Sequence, residues 1–363
     1  MESKKILICS IDNENLKNFE PLIPYFSDHK VTYFDLSNFH KNKINYSHKD
    51  INKISSSVKL ENSFYLLSPV KRLISSLKFY FDLKKINDDY DIIITGRVGI
   101  LEYLLIKYFK KKNNALSFSI NDSVLIYHEQ SSLFKKIRKI IYGFDVRQNI
   151  CDKIFVSGEV SKQTLLKDGV DNNKIIVSGL PRFKKYFESQ GKVRKSENKN
   201  ILIITGAHKW NGYNDWQSDQ NMFLKVINEL KNHSYNINVK PHPRDTFNFN
   251  TLHNLNILNS STDINKLITK HDIIVCATSI STVLIQAGLM SKKTLFVKTR
   301  DLGHIMDSFR FYLDNSAFKK IEHFDSASFE SAELPKNDLL NMYISNKSIY
   351  SSKIITDEIK KTI

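Results

Sequence analysis

The sequence predicts an α/β protein made of two doubly wound, Rossmann-like domains in tandem. Short β-branched runs alternate with stretches of helical period throughout the chain. The alternation stops in a charged stretch near residue 190 and then restarts. At 363 residues the chain is also too long for one ordinary core, and suits two domains of roughly 150–200 residues each. The expected limits are 1–190 and 191–335, with a helical segment, 336–363, placed to pack back on the first domain.

In the first half, "KILICSI" (5–11) reads as a strand, "NENLKNFEPLIPYF" as a helical return and "KVTYFDL" (30–36) as a second strand. The pattern is less regular over 37–88, although "SPVKRLISSLKFYFDLKKI" (68–86) has apolar residues at helical spacing. "YDIIITG" (90–96) is a buried strand ending in glycine. The helix after it, "GILEYLLIKYFKKKN", gathers lysines at its C-terminal end, where the dipole favours them. "ALSFSI" (115–120), "KIFVSG" (153–158) and "KIIVSGLPR" (174–182) continue the alternation. The segment "ESQGKVRKSENKN" (188–200) has no period and reads as a linker. Beyond it, "ILIITG" (201–206), "YNINVKPHP", "DIIVCAT" (272–278) and "KTLFVKT" are strands separated by helical patterns.

Composition narrows the function. A 41% hydrophobic chain with 23 Phe and 16 Tyr has ample material for a core. No apolar run approaches the ~20 residues needed to cross a bilayer, and "MESKKILICSIDNE" reads as a first strand, not a signal peptide. Cys9, Cys151 and Cys276 are scattered and form no CxxC pair, which argues against a disulfide framework or zinc site and fits the cytoplasm. The net charge of +16 favours an anionic partner: nucleic acid, an anionic membrane or a phosphorylated substrate; general lysine richness is the plainer source. Without zinc-finger spacing or an RNP-like aromatic strand, and with dispersed cations, nucleic acid is not expected.

In open α/β sheets ligands sit outside the carboxyl ends of the strands. One strand end, "NVKPHPRD" (238–245), places His242 between Pro241 and Pro243 in a stiff turn, with Lys240 before and Arg244 after. The imidazole can donate to a phosphate oxygen, Lys240 and Arg244 add positive potential, and a structural turn capped by the histidine is the alternative. In "CATSISTVLIQAG" (276–288) a hydroxyl-rich turn leads into a helix near Ser281 and Thr282. Its free N–H groups, with Ser279, Ser281 and Thr282, make a phosphate site or a plain N-cap. "ITGAHKWNGYNDW" (204–216) brings Gly206 and His208 to a third strand end. "SINDSVLIYHEQSS" (119–132) holds the acid/base candidates Asp122, His128 and Glu129.

"KPHPR" and "SISTVLIQAG" resemble the HP and SS/T motifs of bacterial sialyltransferases, polysialyltransferases and Kdo-type capsule transferases. "CDKIFVSGEVSKQTLLKDGVDNNKIIVSGLPRF" looks like the end of the N-terminal domain in GT-B glycosyltransferases, whose two Rossmann-like domains face a cleft. The resemblance covers roughly the latter two-thirds of the chain. It implies a CMP-sugar donor held by His242 and Pro243 in the HP role and by Ser281 and Thr282 in the SS/T role. Those families place an acidic pair before glycine as base. This chain has no such tripeptide, so Glu129 or Asp122 is left to deprotonate the acceptor hydroxyl, with His128 orienting it. Gln286 stands where many UDP- or GDP-sugar enzymes have a ribose-binding glutamate.

The resulting expectation is a cytoplasmic, inverting glycosyltransferase that moves an acidic sugar onto a cell-surface glycan, with no cofactor and no metal. Fixed cations and a helix dipole can stabilise the departing phosphate as a metal does elsewhere. Contact with an anionic membrane is an expectation for "SLFKKIRKIIYGF" (132–144), an amphipathic pattern for which a helix burying its apolar side is the more ordinary explanation. Alternatives are a teichoic-acid-type CDP-polyol phosphotransferase, a UDP- or GDP-sugar transferase, a nucleotide-sugar 2-epimerase, and a non-catalytic basic binding protein.

Overall fold

The structure is a computed structural model that describes residues 2–40, 44–60, 63–64, 67–121, 146–189, 200–206, 216–231, 235–242, 245, 249, 255–277, 281–297, 319–321 and 334–363. The chain divides into two compact units, one of Met1–Lys184 with Tyr343–Ile363 and the other of Lys185–Met342.

The first unit is built on a seven-stranded sheet in the order β3-β2-β1-β4-β5-β6-β7. Its strands are β1 (Lys5–Ser10), β2 (Lys30–Asp35), β3 (Asn52–Ser55), β4 (Ile92–Thr95), β5 (Leu116–Ile120), β6 (Lys153–Val156) and β7 (Ile175–Val177). Every pairing is parallel. Runs such as Ile92-Ile93-Ile94 are buried at every position, as strands covered on both faces must be. The order reverses between β1 and β4, the switch point of a doubly wound sheet. Connecting helices start where capping side chains satisfy free N–H groups. The Asp12 carboxylate accepts from Asn15 N at 2.9 Å, and Glu102 reaches back to accept from Gly99 N at 3.0 Å.

The C-terminal residues return to this unit. Ser345 N donates to Ser157 O at 2.7 Å, and Leu180 N donates to Ser348 Oγ at 3.1 Å. Gly179 sits between these bonds with φ +67°, and a Cβ there would collide with the backbone and hydroxyl of Ser348. Gly179→Ala is therefore expected to lower stability by about 3 kcal/mol, combining left-handed strain with overpacking. Gly169, at φ +83° with open space around it, isolates the first cost. In denaturant titrations Gly169→Ala should shift the midpoint less than Gly179→Ala; equal shifts would remove the role given to the Ser348 contact.

The second unit carries a six-stranded sheet in the order β10-β9-β8-β11-β12-β13. Its strands are β8 (Asn200–Ile204), β9 (Asn236–Lys240), β10 (Asn256–Ile257), β11 (Ile273–Ala277), β12 (Lys293–Val297) and β13 (Lys319–Ile321). These pairings are parallel as well, and the order reverses between β8 and β11. Ile201, Ile203, Ile237, Val239, Ile273 and Val275 form one core face with Phe223, Val226, Ile227 and Leu230 of the helix Trp216–Lys231. Cys9, Cys151 and Cys276 are free and buried.

Candidate active site

Three neighbouring strands of the second sheet end level with one another. Lys240, the last residue of β9, is in register with Ile204 of β8, and Ile204 with Cys276 of β11. The His242 turn and the helix Thr282–Leu289 therefore leave the same edge of the sheet, with the β8 end between them. This edge is the switch point, where a doubly wound sheet leaves its crevice.

The turn is anchored by a residue that sequence reasoning overlooked. Thr205 follows β8, is buried, and accepts from His242 N at 3.1 Å through its hydroxyl. The same hydroxyl donates to the Asp245 carboxylate, so it fills both its roles at once. Asp245 N closes the turn by donating to His242 O at 2.9 Å. The backbone is thus pinned at both ends while His242 is exposed. Gly206 is buried directly after Thr205.

Lys240 is expected to add positive potential at the turn. It is 8% exposed, on the sheet face opposite Ile237 and Val239, and its ammonium donates to Ser260 O at 2.8 Å. Burial pushes its pKa down. Its charge is held away from the surface by Ser260 O.

At the β11 end, Ser281 caps the helix by accepting from Val283 N at 3.2 Å. That bond uses an oxygen lone pair and leaves the hydroxyl hydrogen for another acceptor. A backbone hydrogen bond from Ser281 also reaches Cys276, whose thiol burial pushes up to about 12 despite that bond. Thr282 opens the helix and is half-buried. One turn on, Gln286 is 8% exposed, and its Oε1 is buried without a hydrogen-bond partner among the described residues. An orphan acceptor of this kind suits a hydroxyl donor.

Of the remaining expected site residues, Asp122, His128, Glu129, His208, Pro243, Arg244 and Ser279 lie outside the described residues, as does 132–144. Among the described residues no group of three or more His, Cys, Asp or Glu side chains is placed to hold a metal ion. The chain has a DxD triplet, Asp89-Tyr90-Asp91, at the amino end of β4, away from the carboxyl edge. Its parts are structural: Asp89 pairs with Lys112 at 2.9 Å, Tyr90 is buried and Asp91 accepts from Lys5 N at 2.8 Å. Among the described residues no helix is long and apolar enough to cross a membrane.

Two doubly wound sheets in tandem define the GT-B class, and solved structures share that fold along nearly the whole chain. The UDP-GlcNAc 2-epimerase from Methanocaldococcus jannaschii superposes with a TM-score of 0.63 at 12% identity, covering 99% of this chain and 100% of that one. The UDP-GlcNAc 2-epimerase from Neisseria meningitidis bound to UDP-GlcNAc gives 0.61 at 14% identity, over 98% and 100%. The wall teichoic acid polymerase TagF (H444N, with CDPG) gives 0.59 at 12% identity, over 99% and 89%. Curated protein sequences include no significant match.

The family model of the alpha-2,8-polysialyltransferases matches residues 2–298, and the chain belongs to that family. It is a glycosyltransferase.

Proposed function

We propose that the chain transfers an acidic sugar, sialic-acid-like or Kdo-like, from a CMP-sugar to a cell-surface glycan by metal-independent, inverting displacement. The observation that carries this reading is the shared edge of β9, β8 and β11, which brings the His242 turn and the Ser281-capped helix start to one switch point. Family membership supports the sialyl-type donor.

In this reading the CMP phosphate lies against the helix start, whose free N–H groups and dipole favour an anion. The Ser281 hydroxyl donates to it, and the His242 imidazole donates from the facing turn. Gln286 Oε1 accepts from the nucleoside. A carboxylate, Glu129 or Asp122, takes the proton of an acceptor hydroxyl as its oxygen bonds to the anomeric carbon. The bond from that carbon to phosphate oxygen breaks, and CMP leaves with the electron pair. Negative charge grows on the phosphate in the transition state, so donors fixed there lower the barrier most. Work on the cytoplasmic side is part of the same reading, since lysine-rich surfaces meet anionic lipid there.

Thermal stabilisation by CMP, CDP, UDP and GDP in turn tests the donor. CMP at a hundred times its Kd should add about 2.7 kcal/mol of stability, with the other nucleotides adding less. A preference for UDP or GDP would overturn the CMP assignment. Turnover of CDP-glycerol would point to phosphotransfer instead.

A further inference from the structure

The helix Pro69–Leu83 of the first unit turns its apolar side to solvent. Ser68 caps it by accepting from Lys71 N, and Ser75, Ser76, Phe79 and Leu83 form its buried side. Val70, Leu73, Ile74, Leu77 and Phe81 are exposed, from 47% at Ile74 to 67% at Val70. At 3.6 residues per turn these five positions fall in one stripe about 100° wide. A single exposed leucine carries no meaning, but a continuous stripe of large apolar side chains marks a contact surface.

Cations border the stripe. Lys71 and Lys78 are exposed along one edge, and Lys84 and Lys85 lie exposed just past the C-terminal end. Lys84 Nζ sits 5.1 Å from the Phe81 ring centroid. The helix's one acid, Asp82, is turned inward, where its carboxylate accepts from Ser56 Oγ and Ser57 N at 2.6 Å each. Burial works against the Asp82 charge, but these bonds hold its pKa at about 2. The outer face is therefore apolar at its centre, with lysines along one edge and past its C-terminal end, where Lys85 also pairs with Asp82 at 3.2 Å.

We propose that this helix docks in the plane of an anionic lipid surface, with Leu73, Leu77 and Phe81 entering the acyl boundary and the lysines meeting headgroup phosphates. An apolar centre with a lysine rim is the pattern of an interfacial helix, because the ammonium groups stay in the polar layer while their stems cover hydrocarbon. A second copy of the chain fits the rim poorly, since joining two such faces brings like charges together. The proposal is independent of the sugar donor, because its readout contains no nucleotide.

The full chain should float with phosphatidylglycerol–phosphatidylcholine vesicles, less with phosphatidylcholine alone, and less again at high salt. The triple variant Leu73→Ser, Leu77→Ser, Phe81→Ser should bind anionic vesicles about tenfold or more weakly at an unchanged melting temperature, because these side chains are outside the core. Lys71→Glu with Lys78→Glu should remove the preference for anionic lipid. Failure of the wild-type chain to float, or equal binding by the triple variant, overturns the proposal. A dimer seen by light scattering that the triple variant separates, with no vesicle binding, assigns the face to a second copy instead.

Discussion

His242→Ala is expected to lower turnover of a CMP-sugar by about a hundredfold to a thousandfold, the loss typical for one donor aimed at developing charge. The melting temperature should move by no more than about 2 °C. Fold and function separate at this residue because of how it is held. Two bonds that shape the turn run through its backbone, from His242 N to Thr205 Oγ1 and from Asp245 N to His242 O, and alanine keeps both. The exposed ring makes no part of the core. Most of the loss should fall in kcat, since an imidazole that meets the phosphate more strongly as charge builds contributes little to ground-state binding. Near-normal activity would refute the assignment. A collapse in melting temperature would show the ring to be structural.

The parts of the fold that could be read in the sequence are those where hydrophobic runs leave one solution. Ile92–Thr95, Asn200–Ile204 and Ile273–Ala277 are central strands buried on both faces, and such strands must be continuous apolar runs. Asn52–Ser55, Asn256–Ile257 and Lys319–Ile321 were missed. All three are short strands at sheet edges, where a neighbour's free backbone groups, not side-chain pattern, create the pairing. The helix in 68–86 was legible as a helix, but its orientation was not. A helical period shows that two faces differ without saying which one meets the core, and here Phe79 and Leu83 go inward while Leu73 and Leu77 go out.

The same distinction holds at the site. His242 and Ser281 stand out because prolines and a hydroxyl-rich strand end are local signals. Thr205 and Asp245 do not, since 40 residues separate them in the chain and only the pairing of β8 with β9 brings them together. Lys240 is expected to add positive potential at the turn; strand alternation directs its side chain to the sheet face, where it reaches Ser260.

Ending the chain at Met342 is expected to unfold the first unit while leaving the second sheet's own core intact. The removed residues include Tyr343, Ile344, Ile355 and Ile359, all fully buried. At about 1.5–3 kcal/mol for each large apolar side chain, their burial contributes roughly 6–12 kcal/mol, comparable with the 5–15 kcal/mol that holds a whole domain together. Two buried backbone groups would also lose partners: Ser157 O, which accepts from Ser345 N, and Leu180 N, which donates to Ser348 Oγ. Each such loss costs about 1–3 kcal/mol. The second unit contains none of the removed residues, so limited proteolysis should degrade fragments of Met1–Lys184 first and spare Lys185–Met342. The point substitution Ser348→Ala gives a graded version, since it removes only the hydroxyl that accepts from Leu180 N and donates to Ser345 O, and leaves the apolar contacts. Its melting temperature should lie between those of the full chain and the truncated one. A truncated chain that melts like the full-length protein would mean that the C-terminal segment only lies against the first unit and does not help to hold it folded.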